Sequence, residues 1–232
     1  MRYFAVLIAF FITIGLNAQS KTDINKFDAK GKRHGVWKGT YETTERLRYE
    51  GTFDHGVEKG TFKFYDDTQK GSLIATRDFS AGNGVSYTTF IDQKGNKVSE
   101  GKEVNKVREG EWKVYHPDGK TIMSLENYSK GKLNGLTKIF FANGAIAEEK
   151  GYKEGVQDGI YKKYNEKGTV LEDSNYKNGK LNGQAVFYDK FGNVSSKGEF
   201  VKGYKYGYWE YYDNKKLVKK EFMIMPKEVT RD

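Results

Sequence analysis

Cysteine is absent and proline occurs only twice in the 232 residues. Without cysteine there can be no disulfide scaffold, no thiolate nucleophile and no cysteine-based zinc site. Histidine is scarce as well: His34, His55 and His116 are the only three. They show no His-x-x-x-His spacing and fall in different parts of the chain, so no metal centre is expected. There is no Gly-x-Ser-x-Gly elbow and no Walker-type phosphate loop, and Gly82-Asn83-Gly84 lacks the strand-to-helix setting that phosphate binding needs. Carboxylates such as Glu42, Glu45, Glu50, Asp54 and Glu58 are spread out, without the close pairing that glycoside hydrolysis needs. The expectation is a protein that is not an enzyme and carries no cofactor.

Charge is missing from the beginning of the chain. Arg2 is the only charged residue before Lys21, and Phe4 to Leu16 is apolar apart from Thr13 and Gly15. That run has the length of a signal-peptide core and falls short of the ~20 residues a spanning helix needs. Ala18 supplies a small residue at a cleavage point; an uncleaved short anchor is the alternative. No cysteine follows the run, so a lipoprotein anchor is not available. The expected organisation is a signal peptide at 1–18, a linker at 19–26, a repeat domain at 27–225 and a tail at 226–232.

What the chain has in abundance is glycine (27), tyrosine (17) and phenylalanine (15). With so little proline, this composition favours many short strands joined by tight turns and argues against disorder. The glycines are periodic. Gly35, Gly60, Gly84, Gly110, Gly135, Gly159, Gly183 and Gly207 recur at steps of 24 to 26 residues. Aromatic columns move with them, two residues on (Trp37, Trp112, Trp209) and five or six residues on (Tyr65, Tyr115, Phe140, Tyr164, Tyr188, Tyr212). A third column closes each unit, as at Phe53, Phe79, Tyr128, Tyr152, Tyr176 and Phe200.

This periodicity predicts an all-β, elongated antiparallel β-hairpin solenoid of about eight units. Each opening glycine starts a strand, a turn such as Asp118-Gly119 or Asn143-Gly144 follows, and a glycine-containing link leads to the next unit. A lone hairpin is unstable in water. Stacking equivalent rings on one face buries ~150–250 Å² per ring. The regular aromatics therefore read first as core and only second as a stacking platform for sugars or bases.

Gly31-Lys32-Arg33-His34-Gly35-Val36-Trp37 resembles the MORN repeat, with its Gly-x-x-x-Gly-x-aromatic core, and so do the segments opening at Gly131, Gly155, Gly179 and Gly203. Tyr128, Tyr152 and Tyr176 match the Tyr-x-x-Gly lead-in. The closest resemblance is to the bacterial MORN-variant family labelled YwqK-type antitoxin. It implies a single-sheet hairpin solenoid that binds other macromolecules. Combined with the apolar leader, it implies export to the periplasm, cell surface or medium of a bacterium.

The formal charge is +9. Lys130, Lys132, Lys153, Lys177, Lys180, Lys202 and Lys205 all fall in or beside the links. Stacked units would align them along one edge, where they could attract anionic lipid, acidic polysaccharide or acidic protein, or simply keep the edge soluble. A protein is the expected partner, with anionic lipid or glycan the alternative and nucleic acid disfavoured. The expected function is a protein-binding or scaffolding module at the cell envelope; an antitoxin or immunity-type role is a further alternative.

Overall fold

The computed structural model describes residues 23–226 except Asn83. The expected signal peptide, residues 19–22 of the linker and most of the tail lie outside the described residues. The strands of the first half are β1 (Lys26–Phe27), β2 (Arg33–Thr40), β3 (Leu47–Asp54), β4 (Val57–Tyr65), β5 (Leu73–Asp78), β6 (Val85–Ile91), β7 (Lys97–Val104), β8 (Val107–Tyr115) and β9 (Ile122–Ser129). Those of the second are β10 (Lys132–Leu133), β11 (Gly135–Phe140), β12 (Ile146–Lys153), β13 (Val156–Tyr164), β14 (Val170–Lys177), β15 (Lys180–Leu181), β16 (Gly183–Tyr188), β17 (Val194–Val201), β18 (Tyr204–Asp213) and β19 (Lys216–Met223). There is no helix among the described residues.

All nineteen strands belong to one open antiparallel sheet. Each pairs with its neighbours in sequence, β2 with β3, β3 with β4, and so on to β18 with β19. The two-residue β10 and β15 continue into β11 and β16 on the same partners, β9 and β14. Substantial strand contacts are confined to sheet neighbours. At ~4.8 Å per row, the stack extends over roughly 75 Å. The protein is a β-hairpin solenoid.

Two kinds of turn alternate along it. One edge carries two-residue turns at His55-Gly56, Lys130-Gly131, Glu154-Gly155, Asn178-Gly179 and Lys202-Gly203. Both residues take positive φ, as at Asn178 (50°) and Gly179 (76°), which is the twist-matched hairpin turn. The other edge carries longer turns except at Asn214-Lys215, between β18 and β19. There Asp92, Asp118, Asn165 and Asp189 each accept two backbone N–H bonds through one side-chain oxygen.

Of the opening glycines, Gly135 and Gly183 start strands, β11 and β16, as the sequence predicts, and Gly84 immediately precedes β6; the others lie inside strands. The links are two-residue turns, so pairing resumes at once and Gly60, Gly110, Gly159 and Gly207 lie inside β4, β8, β13 and β18. Each marks a bulge. Lys150 pairs with Tyr161 but Tyr152 with Gln157, so the register jumps around Gly159, whose φ is 98°. At Gly135 and Gly183 the same jump separates β10 from β11 and β15 from β16.

Backbone bonds at these bulges tie successive units together. The turn glycine's N–H donates to the carbonyl two residues before the preceding bulge glycine: Gly131 to Arg108 (3.0 Å), Gly155 to Leu133 (2.7 Å), Gly179 to Gln157 (2.8 Å) and Gly203 to Leu181 (2.8 Å). The residue before the turn glycine donates its N–H to the side chain just before the bulge glycine. These bonds run from Lys130 to Glu109, Glu154 to Asn134, Asn178 to Asp158 and Lys202 to Asn182.

Candidate functional site

The two aromatic columns lie on opposite faces of the sheet, so the core expected of both is formed by one of them. Trp112 stands directly opposite Gly101, whereas its neighbour Lys113 stands opposite Glu100, and the Tyr115 hydroxyl reaches Glu100. Successive side chains alternate between faces, so Trp112 and Tyr115, three residues apart on β8, point to opposite sides. The physical consequence is two different surfaces.

The first face holds the core. Trp37, Trp112 and Trp209 are buried, and clusters form around Trp37, Phe53, Phe62 and Phe79 and around Ala185, Phe200 and Trp209. Each tryptophan Nε1–H donates across the sheet to a backbone carbonyl, at Lys26, Lys102 and Glu199. A glycine column that the sequence reading missed makes room for the rings. A Cβ on Gly51 would sit 2.3 Å from the Phe62 ring, on Gly101 2.5 Å from Trp112, and on Gly198 2.4 Å from Trp209. Its signal was a second glycine nine residues before three of the bulge glycines.

The second face carries a ladder of charge. Lys38, Glu50 and Lys63 stand directly opposite one another on β2, β3 and β4. The row resumes with Lys138, Glu149, Lys162 and Asp173 on β11 to β14, and with Lys197, Glu210 and Lys220 on β17 to β19. Six ion pairs form along it, with nitrogen–oxygen distances from 3.1 Å (Lys220–Glu210) to 3.7 Å (Lys63–Glu50). The tyrosines expected as core are half-buried here and donate to the ladder: Tyr65 to Glu50, Tyr164 to Glu149 and Tyr212 to Glu210. Phe140 and Tyr188 are half-buried as well. Burial, then the carboxylate acceptor, pushes the Tyr65 and Tyr164 phenols up to about 12. The Tyr212 hydroxyl, with Lys220 and Lys197, holds Glu210 down at about 2.

On the first face, at β2 to β5, lies an open groove of about 410 Å³. Phe53, Phe62 and Phe64 form its apolar lining, and Arg33, Arg48 and Arg77 bring positive charge to it. The Arg33 guanidinium stacks 4.8 Å from the Trp37 centroid and donates to the Tyr49 hydroxyl. Arg48 lies over Tyr49, and Arg77 over Phe64. Arg77 also pairs with the buried Glu103 at 3.0 Å. A guanidinium stacked by its flat face still presents N–H groups along its edge.

The lysines are placed unevenly. Lys130, Lys132, Lys153, Lys177, Lys180 and Lys202 are exposed, at or beside the two-residue turns of one edge. That edge also carries acids: Lys132 pairs with Glu154 at 3.5 Å, and Glu109 and Asp158 cap the turns. Lys205 lies instead over the Trp209 ring, 4.0 Å from its centroid. At the first two-residue turn the fold brings together His34 and His55, which the sequence reading had kept apart. With Asp54 they offer three metal-ligating atoms within 4.8 Å of one another.

No curated protein matches this chain. The family profile described as MORN repeat variant matches residues 108–132 and 157–178. These segments correspond to β8–β9 with the turn that follows, and to β13–β14, each a hairpin built around a bulge glycine. The chain is thus a β-hairpin repeat protein with matches to the MORN repeat variant at two places along it.

Proposed function

We propose that the protein is an exported, non-enzymatic repeat module that binds a partner protein at the cell envelope. The observation that carries this reading is the groove on β2 to β5, where three arginines border a phenylalanine lining. An extended acidic segment fits that chemistry: its apolar side chains meet the rings, and its carboxylates take bidentate bonds from the guanidinium edges. Export is supported by the uncharged apolar run from Phe4 to Leu16. A toxin as the partner is the narrower form of the same reading, suggested by the antitoxin label of the family that the sequence resembles.

The test is capture from an envelope fraction, with wild-type protein beside the Arg33→Glu/Arg48→Glu double variant. A partner recovered by the wild type and lost by the variant is the expected result. Recovery of nothing by the wild type, or of the same protein by both, would overturn the reading. Binding to anionic vesicles that survives in the double variant but disappears in Lys132→Glu/Lys180→Glu would instead assign function to the lysine edge.

A further inference from the structure

We propose that His34, Asp54 and His55 bind a divalent transition-metal ion of the zinc type at the first two-residue turn. Asp54 Oδ1 lies 3.7 Å from His34 Nδ1 and 3.8 Å from His55 Nε2. The two imidazole rings are 4.6 Å apart, tilted by 35°. A tetrahedral zinc ion with bonds of ~2.0–2.2 Å needs its ligand atoms about 3.3–3.5 Å apart, so small rotations of exposed side chains complete the set.

Two further features suit a metal better than a casual surface cluster. The first is Asp28, whose Oδ2 lies 2.6 Å from His55 Nδ1. Its other oxygen accepts the backbone N–H groups of Lys30 and Lys32, which anchors the carboxylate. A carboxylate on one ring nitrogen places the proton there and leaves Nε2 as the donor to a metal, the usual support of a ligating histidine. The second is position in the repeat. At equivalent junctions the turn residue and the residue before the bulge glycine are Lys130 with Glu109, Glu154 with Asn134, Asn178 with Asp158 and Lys202 with Asn182. The first junction has histidine at both places, and the His55 N–H makes only a long 3.4 Å approach to His34 Nδ1.

Two imidazoles and one carboxylate favour zinc or copper over calcium or magnesium. The remaining coordination position is left to water or to a group from a partner. Lys59 Nζ, 3.2 Å from Asp54 Oδ2, is the competing cation.

The experiment is a calorimetric titration of the untagged chain with zinc chloride, together with electron paramagnetic resonance of the copper(II) form. One equivalent should bind, with two-nitrogen coupling in the copper spectrum. Affinity should fall about tenfold or more in His34→Gln and in His55→Gln, and by a similar factor in Asp28→Asn. His116→Gln should bind as the wild type does. Circular dichroism checks that the variants fold, and the copper spectrum of the wild type tests the site without any substitution. Absence of saturable 1:1 binding, affinity unchanged in His34→Gln and His55→Gln, or a copper spectrum without nitrogen coupling would overturn the assignment.

Discussion

The Arg108 guanidinium lies 4.2 Å from the centroid of the Trp112 ring, and the pairing recurs wherever a unit carries a tryptophan. Arg33 lies over Trp37 and Lys205 over Trp209. In each case the cation stands two residues before the bulge glycine and the tryptophan two residues after it. Where the second position is Phe62, Thr137, Tyr161 or Ala185, the first is Glu58, Leu133, Gln157 or Leu181. A cation over an indole face is attracted by the ring quadrupole, and its stem covers apolar surface.

Trp112→Ala is accordingly expected to destabilise the protein by ~3–5 kcal/mol, because a fully buried ring is lost from a packed site. Arg108→Ala should cost about 1 kcal/mol, the scale of a partly exposed cation–π contact. Urea unfolding followed by tryptophan fluorescence checks both. An Arg108→Ala variant as damaged as Trp112→Ala would show that the arginine does more than cover the ring.

Gly101→Ala should destabilise by ~1–3 kcal/mol as an overpacking change. Its Cβ would lie 2.5 Å from the Trp112 ring, and the indole is held by its bond to the Lys102 carbonyl. Gly198→Ala should behave alike against Trp209. Gly110→Ala meets no atom within 4 Å but sits at φ +72°, so its cost is that of a strained backbone alone, ~1–2 kcal/mol. Pairing each glycine variant with Trp112→Ala separates the two causes: the cost at Gly101 should shrink with the ring gone, and the cost at Gly110 should not.

The Asp118 carboxyl is held down at about 2 by the Thr121 hydroxyl and by the N–H groups of Lys120 and Thr121. A depressed folded-state value means stability that is complete above the ordinary value near 3.8 and is lost as pH falls from there through about 2. Asp66, Asp92 and Asp189 are shifted down at equivalent turns, so acid unfolding should fall within this window. Asn143 and Asn165 make turn bonds of the same kind without a charge. Asp118→Asn keeps an acceptor for the turn N–H groups but loses the charge, so it should lower stability at neutral pH, converge with the wild type below about 2 and move the acid midpoint to higher pH. Circular dichroism across an acid titration gives that midpoint, and a midpoint that does not move would remove Asp118 from the account.

The period, the hairpins and the aromatic positions were legible in the sequence because every unit meets the same local demands. Gly179 and Gly203 take positive φ in tight turns, and Asp118 and Asp189 close turns by bonding their own backbone neighbours. Such preferences act over a few residues and survive in a linear reading. Not all strand starts were legible, because a six-residue link such as Lys177 to Asn182 looks like a loop until pairing shows that β14 and β15 enclose only Asn178-Gly179.

Sequence alone determined that this chain is a tandem array of β-hairpins with no cysteine chemistry. Tertiary structure decided which of the two ring-bearing faces is the core, since it is the glycines Gly51, Gly101 and Gly198 across the sheet that let the rings of one face pack down and be buried. It also decided that Lys38, Glu50 and Lys63 form one row, and that His34 meets His55. These neighbours lie on different strands or, for His55, in the turn after β3, and their meeting depends on cross-strand bonds such as the one from Gly56 N–H to the Arg33 carbonyl, which no local preference encodes.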